Sequence, residues 1–150
     1  MFGWGIGDIL TLSRLAVQVY TAYRDAPDEL RNISDEVKSL QIIIDRAKRH
    51  FQGTTLSSNN RQEGREVLKG CQNILEDLNR LIEEYNGLAG CHGLAPASAS
   101  QALKRVKLSK EDIATLRSRL ISNTGLLSAF IHRFDISTFI NKYTVLIPLF

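Results

Sequence analysis

Residues 27–52 read PDELRNISDEVKSLQIIIDRAKRHFQ, and the apolar pattern of this stretch decides the fold class. Apolar residues recur there at alternating spacings of three and four, which is the repeat of a helix that packs one face against other helices. Pro27 and the acidic residues after it favour a first helical turn, and Gly53 closes the pattern. We predict one long helix with its stripe at Leu30, Ile33, Val37, Leu40, Ile44, Ala47 and Phe51, widened by Ile42 and Ile43.

The same spacing recurs after a turn-rich loop and predicts a helix over residues 61–86. Gly70 lies inside this helix at a cost to helix propensity, and close packing against a neighbouring helix would explain it. The sequence Asn86-Gly87 is expected to end the helix. The stripe positions are Val67, Cys71, Ile74, Leu78, Leu81 and Tyr85, with Leu68, Leu75 and Ile82 beside them.

A further helix is predicted from Lys110 to about Arg133, after a flexible connection over residues 87–100. Its stripe includes one polar member, Asn123. Two interpretations of Asn123 stay open: a buried Asn that fixes the register of the bundle, or a residue at the rim of the core. The stripe positions are Ile113, Leu116, Leu120, Asn123, Leu127, Phe130 and Phe134.

The first 23 residues, MFGWGIGDILTLSRLAVQVYTAY, carry only two charges, Asp8 and Arg14. After Asp8 they predict a helix that ends before Pro27 and is apolar on most of its circumference. Such a helix must be buried in a core or in a lipid surface. The interruptions by charged and polar residues argue against a permanent transmembrane helix, while conditional insertion stays open.

Together these segments predict an all-α four-helix bundle with an apolar N-terminal helix and an irregular C-terminal tail. The composition, 43% hydrophobic and 23% charged residues, fits one soluble domain, which we place at residues 1–134. The apolar tail, residues 135–150, does not fit the bundle pattern. It either packs on the bundle, extends as a strand, or marks a point where a longer chain was cut or spliced.

No set of residues in the chain predicts catalysis, cofactor binding or a metal site. Phosphate loops and nucleophile elbows are absent from the sequence, and His50, His92 and His132 are widely separated. Cys91 next to His92 lacks the further spaced ligands of a zinc site, and Cys71 is expected to be a buried thiol. Residues 88–150 hold eight basic and three acidic residues, but without interleaved aromatic residues they do not predict nucleic-acid binding. The N-terminus lacks the features of an export signal, so we expect a cytoplasmic protein.

Four sequence blocks resemble the fungal N-terminal domain found on STAND (NLR-like) proteins, a HeLo-like family. The blocks are FGWGIGDIL, APDELRNISDEVKSLQIII, LKGCQNILEDLNRLIEEYNGLA and KLSKEDIATLRSRLISNTGLLSAF, and they match that family in order and spacing from Phe2 to about Phe134. The family is similar in fold to the four-helix bundle of necroptosis executioner proteins. It also occurs at the N-terminus of a protein from azaphilone pigment gene clusters. The chain departs from the family at Leu108, where Trp is expected, and after Phe134, so it is either a fragment or a stand-alone member.

The resemblance implies a non-enzymatic domain of fungal NLR-type regulated cell death, including heterokaryon incompatibility. It would oligomerise and then act on the plasma membrane as a conditionally peripheral protein, together with an NLR-type partner chain. Carried onto this chain, the membrane-active segment is Phe2, Gly3, Trp4, Gly5, Ile6, Gly7 and Asp8. Anionic lipid head groups would meet Lys104, Arg105, Lys107 and Lys110. The alternative is a homotypic or adaptor module without membrane activity, because heptad faces can also pair between chains.

Overall fold

The computed structural model describes residues 6–51, 57–90 and 110–146, and within them the side chains of residues 7–51 (Glu29 excepted), 57–87 and 112–134. Four helices make up these ranges: α1 (Ile6–Arg24), α2 (Asp28–Phe51), α3 (Ser58–Gly90) and α4 (Lys110–Leu146). The described residues contain no strand. The predicted all-α four-helix bundle is confirmed.

The four helices occupy the corners of a square. α1 packs along α2 and α3, and α4 packs along the same two helices from the opposite corner. α1 and α2 run antiparallel, because Ser13 hydrogen-bonds to Asp45 at one level while Tyr20 lies against Lys38 at another. α1 is therefore diagonal to α4, and the two helices share their neighbours rather than a contact surface.

α3 and α4 also run antiparallel, since Glu63 pairs with Arg133 and Asp77 pairs with Arg119. α1 and α3 point the same way. One end of the bundle, which we call the leading end, therefore holds the starts of α1 and α3 and the end of α2. α4 passes the end of α2 there at Phe134, whose ring lies 5.5 Å from that of Phe51. The opposite end, where α2 and α4 begin, is the trailing end.

The core is built from the predicted stripes. All seven stripe positions of α2 are at most 4% exposed, and α3 buries its stripe from Cys71 to Tyr85 together with Leu68, Leu75 and Ile82. Val67, Ile113, Leu116 and Phe134 are partly buried at the edge of this core. The heptad faces of these described helices are therefore used within one chain.

Three details differ from the sequence-based prediction. Ile42 is 54% exposed and does not widen the stripe of α2, since only Ile43 packs at the core edge. α2 begins at Asp28 because the Pro27 carbonyl accepts the first helical hydrogen bonds, from the backbone N–H groups of Leu30 and Arg31. α3 starts earlier than predicted and runs past Gly87 to Gly90.

The predicted irregular tail is wrong for the backbone of residues 135–146. α4 does not end near Arg133 but continues to Leu146. The sequence offers no helix-breaking residue between Phe134 and Pro148, so helical hydrogen bonding propagates through this segment. At about 1.5 Å per residue the continuation adds roughly 18 Å beyond Phe134.

Candidate functional site

The sequence requires α1 to be buried in a core or in a lipid surface, and in this bundle one face of α1 packs into the core. One face of α1 is at most 3% exposed and packs between α2 and α3. Val17 is the large apolar residue that this helix leaves outside, 44% exposed. The buried face consists of Ile9, Leu12, Ala16, Val19 and Tyr23.

Hydrogen bonds align α1 on α3. The Tyr23 hydroxyl donates to the Leu78 carbonyl at 2.8 Å inside the core, and burial raises the pKa of this phenol. Gln18 donates to Asn79 on α3 at 3.2 Å. Because the ring of Tyr23 is buried and its hydroxyl is hydrogen-bonded, this residue anchors the C-terminal end of α1.

The surface of α2 beside α1 contains an unsatisfied polar atom. The side-chain oxygen of Gln41 is buried without a hydrogen-bond partner among the described residues. Gln41 lies one turn from Lys38 and from Asp45, which both contact α1. A buried amide oxygen without a hydrogen-bond partner costs about 1–3 kcal/mol of folding stability. The surface of α2 beside α1 is therefore less stable than one in which every polar atom is hydrogen-bonded.

A groove of about 500 Å³ separates the first turns of α1 from residues 65–72 of α3 near the leading end. Its floor is apolar, with Leu12 and Leu68, and its rim is polar, with Asp8 on α1 and Lys69 on α3. A smaller groove continues it along α1 toward Gln18. α1 is therefore less closely packed on α3 at its start than at Tyr23.

Ion pairs join α4 to both of its neighbours. Arg117 binds Glu36 on α2 through two nitrogens, with its Nε at 3.0 and 3.1 Å from the two carboxylate oxygens. Arg119 reaches Asp77 on α3 at 2.9 Å. Arg133 reaches Glu63 at 2.7 Å, also on α3. α4 thus links α2 to α3, which share no large contact surface of their own.

The two irregularities in the helical stripes, Gly70 and Asn123, face each other between α3 and α4. A Cβ atom placed on Gly70 would lie 2.5 Å from the Asn123 side-chain oxygen, so any larger residue requires the Asn123 side chain to shift. Asn123 is half-buried and its amide donates to the Arg119 carbonyl at 2.8 Å. The expected close packing at Gly70 is confirmed, and Asn123 lies at a helix contact on the rim of the core.

Cys71 is a buried thiol, as expected. Its Sγ lies 3.8 Å from the Asn123 carbonyl oxygen, to which the S–H group donates. Burial raises the pKa of this thiol to about 12. At neutral pH it is therefore protonated and unreactive.

Most of the predicted membrane-contacting residues lie outside the described side chains. Residues 2–5, Lys104, Arg105 and Lys107 are outside the described ranges, and of Ile6 and Lys110 only the backbone is described. Gly7 and Asp8 are exposed at the leading end, whereas Lys110 begins α4 at the trailing end. The length of α1, about 28 Å for 19 residues, separates these two levels of the bundle.

Sequence reasoning missed the arginines of α4 and the unsatisfied Gln41. Glu36 and Arg117 flank the apolar stripes of their helices, at the positions that carry interhelical ion pairs in heptad sequences. That pattern was a signal for such pairs, but it did not identify the partner helix. Gln41 carries no comparable signal, because whether its side-chain oxygen finds a partner depends on the tertiary contacts around it.

Comparisons with protein-family models, with curated proteins and with solved structures found no match to this chain. Along the described residues, none of the helices combines the length and apolarity needed to cross a bilayer. The described ranges also bring no three His, Cys, Asp or Glu side chains together as a metal-binding group. The case for function therefore rests on the sequence pattern and on the packing of α1.

Proposed function

We propose that this chain is a non-enzymatic signalling or effector domain of fungal NLR-type regulated cell death. It acts by self-association and by conditional association of its N-terminal segment with an anionic membrane surface. In the resting state it is a cytoplasmic bundle, and after activation it lies at the periphery of the plasma membrane. The single observation that carries the proposal is the position of α1, an apolar helix that packs on α2 and α3 while α4 links those two helices from the opposite corner.

The scaffold consists of α2, α4 and α3. α4 joins its two neighbours through the ion pairs of Arg117, Arg119 and Arg133 and through the aromatic contacts of Phe51 with Phe130. α1 packs in the groove opposite α4. Release of α1 therefore leaves the three other helices connected, which supports a two-state element that is either docked or exposed.

The energy of docking determines when release occurs. Ile9, Leu12, Val19 and Tyr23 are each at most 3% exposed, and burial of each contributes about 1.5–3 kcal/mol. Undocking these four in water costs roughly 6–12 kcal/mol, so at most about one molecule in ten thousand has α1 released. Lipid contact or oligomerisation must offset this cost before α1 is released.

Dye release from phosphatidylserine-containing liposomes tests the proposal. The wild-type chain, a chain without residues 1–7, and the variant Trp4→Asp are compared at equal concentration. Trp4 is the only tryptophan, so a blue shift of its emission reports whether the segment enters lipid. We expect leakage and a blue shift for the wild type, and loss of leakage for the truncated chain and for Trp4→Asp.

Ile42→Asp is the matched control, because Ile42 is an exposed apolar residue of α2 that is distant in sequence from the N-terminal segment. This variant should cause as much dye release as the wild type. Equal leakage by the wild type and Trp4→Asp would refute the membrane role of the segment. If none of the proteins causes dye release, even after forced dimerisation, the adaptor alternative replaces the proposal.

The adaptor alternative has one observation in its favour. Ile121 and Leu126 on α4 are 56% and 55% exposed and offer apolar contacts to another chain. Five residues on a helix rotate by about 140°, so the two do not form one patch. Light scattering that stays monomeric at high concentration would exclude the homotypic form of this alternative.

A further inference from the structure

Charge is unevenly divided along the bundle axis. In the leading half, formed by residues 7–14, 44–51, 57–72 and 124–134, basic residues outnumber acidic ones by eight to four. The acidic members are Asp8, Asp45, Glu63 and Glu66. The basic members are Arg14, Arg46, Lys48, Arg49, Arg61, Arg65, Lys69 and Arg133. Among the described side chains, the trailing half has the opposite balance, with Asp25, Asp28, Asp35, Glu36, Glu76, Asp77, Glu83, Glu84 and Asp112 against six arginines and lysines.

Two apolar segments join the bundle at this basic end. Residues 1–5 are attached there, because α1 begins at Ile6. α4 continues past Phe134 at the same end and carries residues 135–146 beyond the last residue of α2. The two segments are far apart in the sequence. They join the same end of the bundle because α1 begins there and α4 runs toward it.

The continuation of α4 does not extend the stripe that forms the core. Counting the same three-and-four spacing onward from Phe134 gives Ser137, Asn141 and Thr144, which are all polar. Apolar residues move to another set of positions, Ile136, Phe139, Ile140 and Tyr143, which share one face of a helix by their own spacing. The apolar register of α4 therefore changes where α4 passes the last residue of α2.

We propose that the leading end of the bundle is a lipid-binding surface, in which the apolar face of residues 136–143 enters an anionic membrane beside the N-terminal segment and basic residues of the leading half hold the head groups. This inference rests on the proposed function for its partner and adds a second lipid-contacting element to it. Amphipathic helices bind membranes through buried apolar area and attraction to anionic lipid together. Each Lys or Arg near such a surface contributes about a fivefold gain in affinity.

A second copy of the chain fits this surface less well than a membrane. The acidic side chains described in the trailing half of another copy would complement the charge, but α4 continues for roughly 18 Å beyond Phe134 and would hold two bundle ends apart. A fluid lipid surface accommodates a protruding apolar helix, whereas the described trailing end would have to present a matching groove.

Sedimentation with phosphatidylserine vesicles tests the apolar face. The double variant Ile140→Asp/Tyr143→Asp should bind at least about tenfold more weakly than the wild type. The control Asn141→Asp/Thr144→Asp adds the same two charges to the same segment at the polar register, so it corrects for charge and for helix disruption. Equal binding of the two double variants would overturn the inference.

A second pair of variants tests the basic end. Arg49→Glu/Lys69→Glu changes two exposed residues of the leading half and should weaken vesicle binding at least about 25-fold. Arg24→Glu/Arg80→Glu changes the net charge by the same amount in the trailing half. It should bind vesicles much more tightly than Arg49→Glu/Lys69→Glu does. Urea unfolding of each variant confirms that the bundle is intact. If both pairs lose the same affinity, only net charge matters and the assigned surface is wrong.

The outcomes separate this inference from the proposed function. If removal of residues 1–7 abolishes leakage while Ile140→Asp/Tyr143→Asp binds like its control, the inference fails and the proposed function stands. If that variant loses binding while the chain without residues 1–7 leaks normally, the role of the N-terminal segment fails and the inference stands. Absence of wild-type binding, or a loss of self-association with unchanged vesicle binding, overturns the inference.

Discussion

Gly70→Ala is expected to destabilise the wild-type bundle but to stabilise a bundle that carries Asn123→Ala. The new methyl group would lie 2.5 Å from the Asn123 side-chain oxygen, and that oxygen must move by about 1 Å to reach an ordinary contact. The movement breaks the hydrogen bond from the Asn123 amide to the Arg119 carbonyl. With Ala at position 123 the obstruction is absent.

Two opposing terms set the size of the effect. Replacing Gly by Ala inside a helix contributes about 1 kcal/mol of stability. Overpacking a helix contact costs about 1–3 kcal/mol, including the displaced hydrogen bond. The net change in the wild type is therefore a loss of about 1 kcal/mol, and in the Asn123→Ala background a gain of about 1 kcal/mol. The coupling free energy between the two positions is about 2 kcal/mol.

Urea unfolding followed by far-ultraviolet circular dichroism measures all four members of the cycle. Gly125→Ala is the control, because Gly125 lies on α4 with nothing within 4 Å of an added Cβ, and it should stabilise both backgrounds by about 1 kcal/mol. A coupling below about 0.5 kcal/mol, with Gly70→Ala stabilising the wild type, would refute the close approach of α3 and α4 at this point.

Three further predictions concern the core and the surface of α2 beside α1. Leu40→Ala and Leu78→Ala should each lower the free energy of unfolding by about 2–5 kcal/mol, since both leucines are fully buried; losses below about 0.5 kcal/mol at both sites would mean that the stripes do not face the core. Gln41→Met should raise the urea midpoint by the equivalent of about 1 kcal/mol by removing the unsatisfied oxygen, and an unchanged or lower midpoint would show that this oxygen is satisfied. Burial raises the pKa of Cys71 to about 12 and also raises that of Tyr23, so unfolding exposes stronger acids and stability should fall as the pH rises above about 9. Cys71→Ala should flatten this fall between about pH 9 and pH 10, and an unaltered slope would contradict the buried thiol.

The sequence predicted the buried face of each helix well because a helical stripe is a local property. Every stripe residue of α2 from Leu30 to Phe51 is buried, as its spacing required. The prediction that Ile42 widens the stripe is wrong because the angular position of a residue on the helix, and not its hydrophobicity alone, decides whether it is buried. The predicted end of α4 is wrong for a related reason: after Phe134 the sequence loses the apolar register of the core but contains no residue that breaks the helix before Pro148.

The candidate site was less accessible to sequence reasoning. The apolar character of α1 was evident from its residues, but its groove between α2 and α3 and its diagonal position relative to α4 were not. Glu36 and Arg117 lie 81 positions apart in the chain, and many carboxylates were available to that arginine. The basic leading end emerges only when the helix directions are known, because it combines residues from four separate segments.

By itself, the sequence determined that this chain forms four helices and which residues of each turn inward, because periodicity and burial of apolar area act within a few turns of one segment. Only the tertiary structure decided which helices are neighbours, which irregular residues meet, and that the start of α1 and the continuation of α4 lie at the basic end. Those outcomes depend on contacts between distant segments, such as Gly70 with Asn123. Several arrangements of the same four amphipathic helices bury similar apolar area, so the choice among them is made by steric fit and charge pairing at the helix contacts.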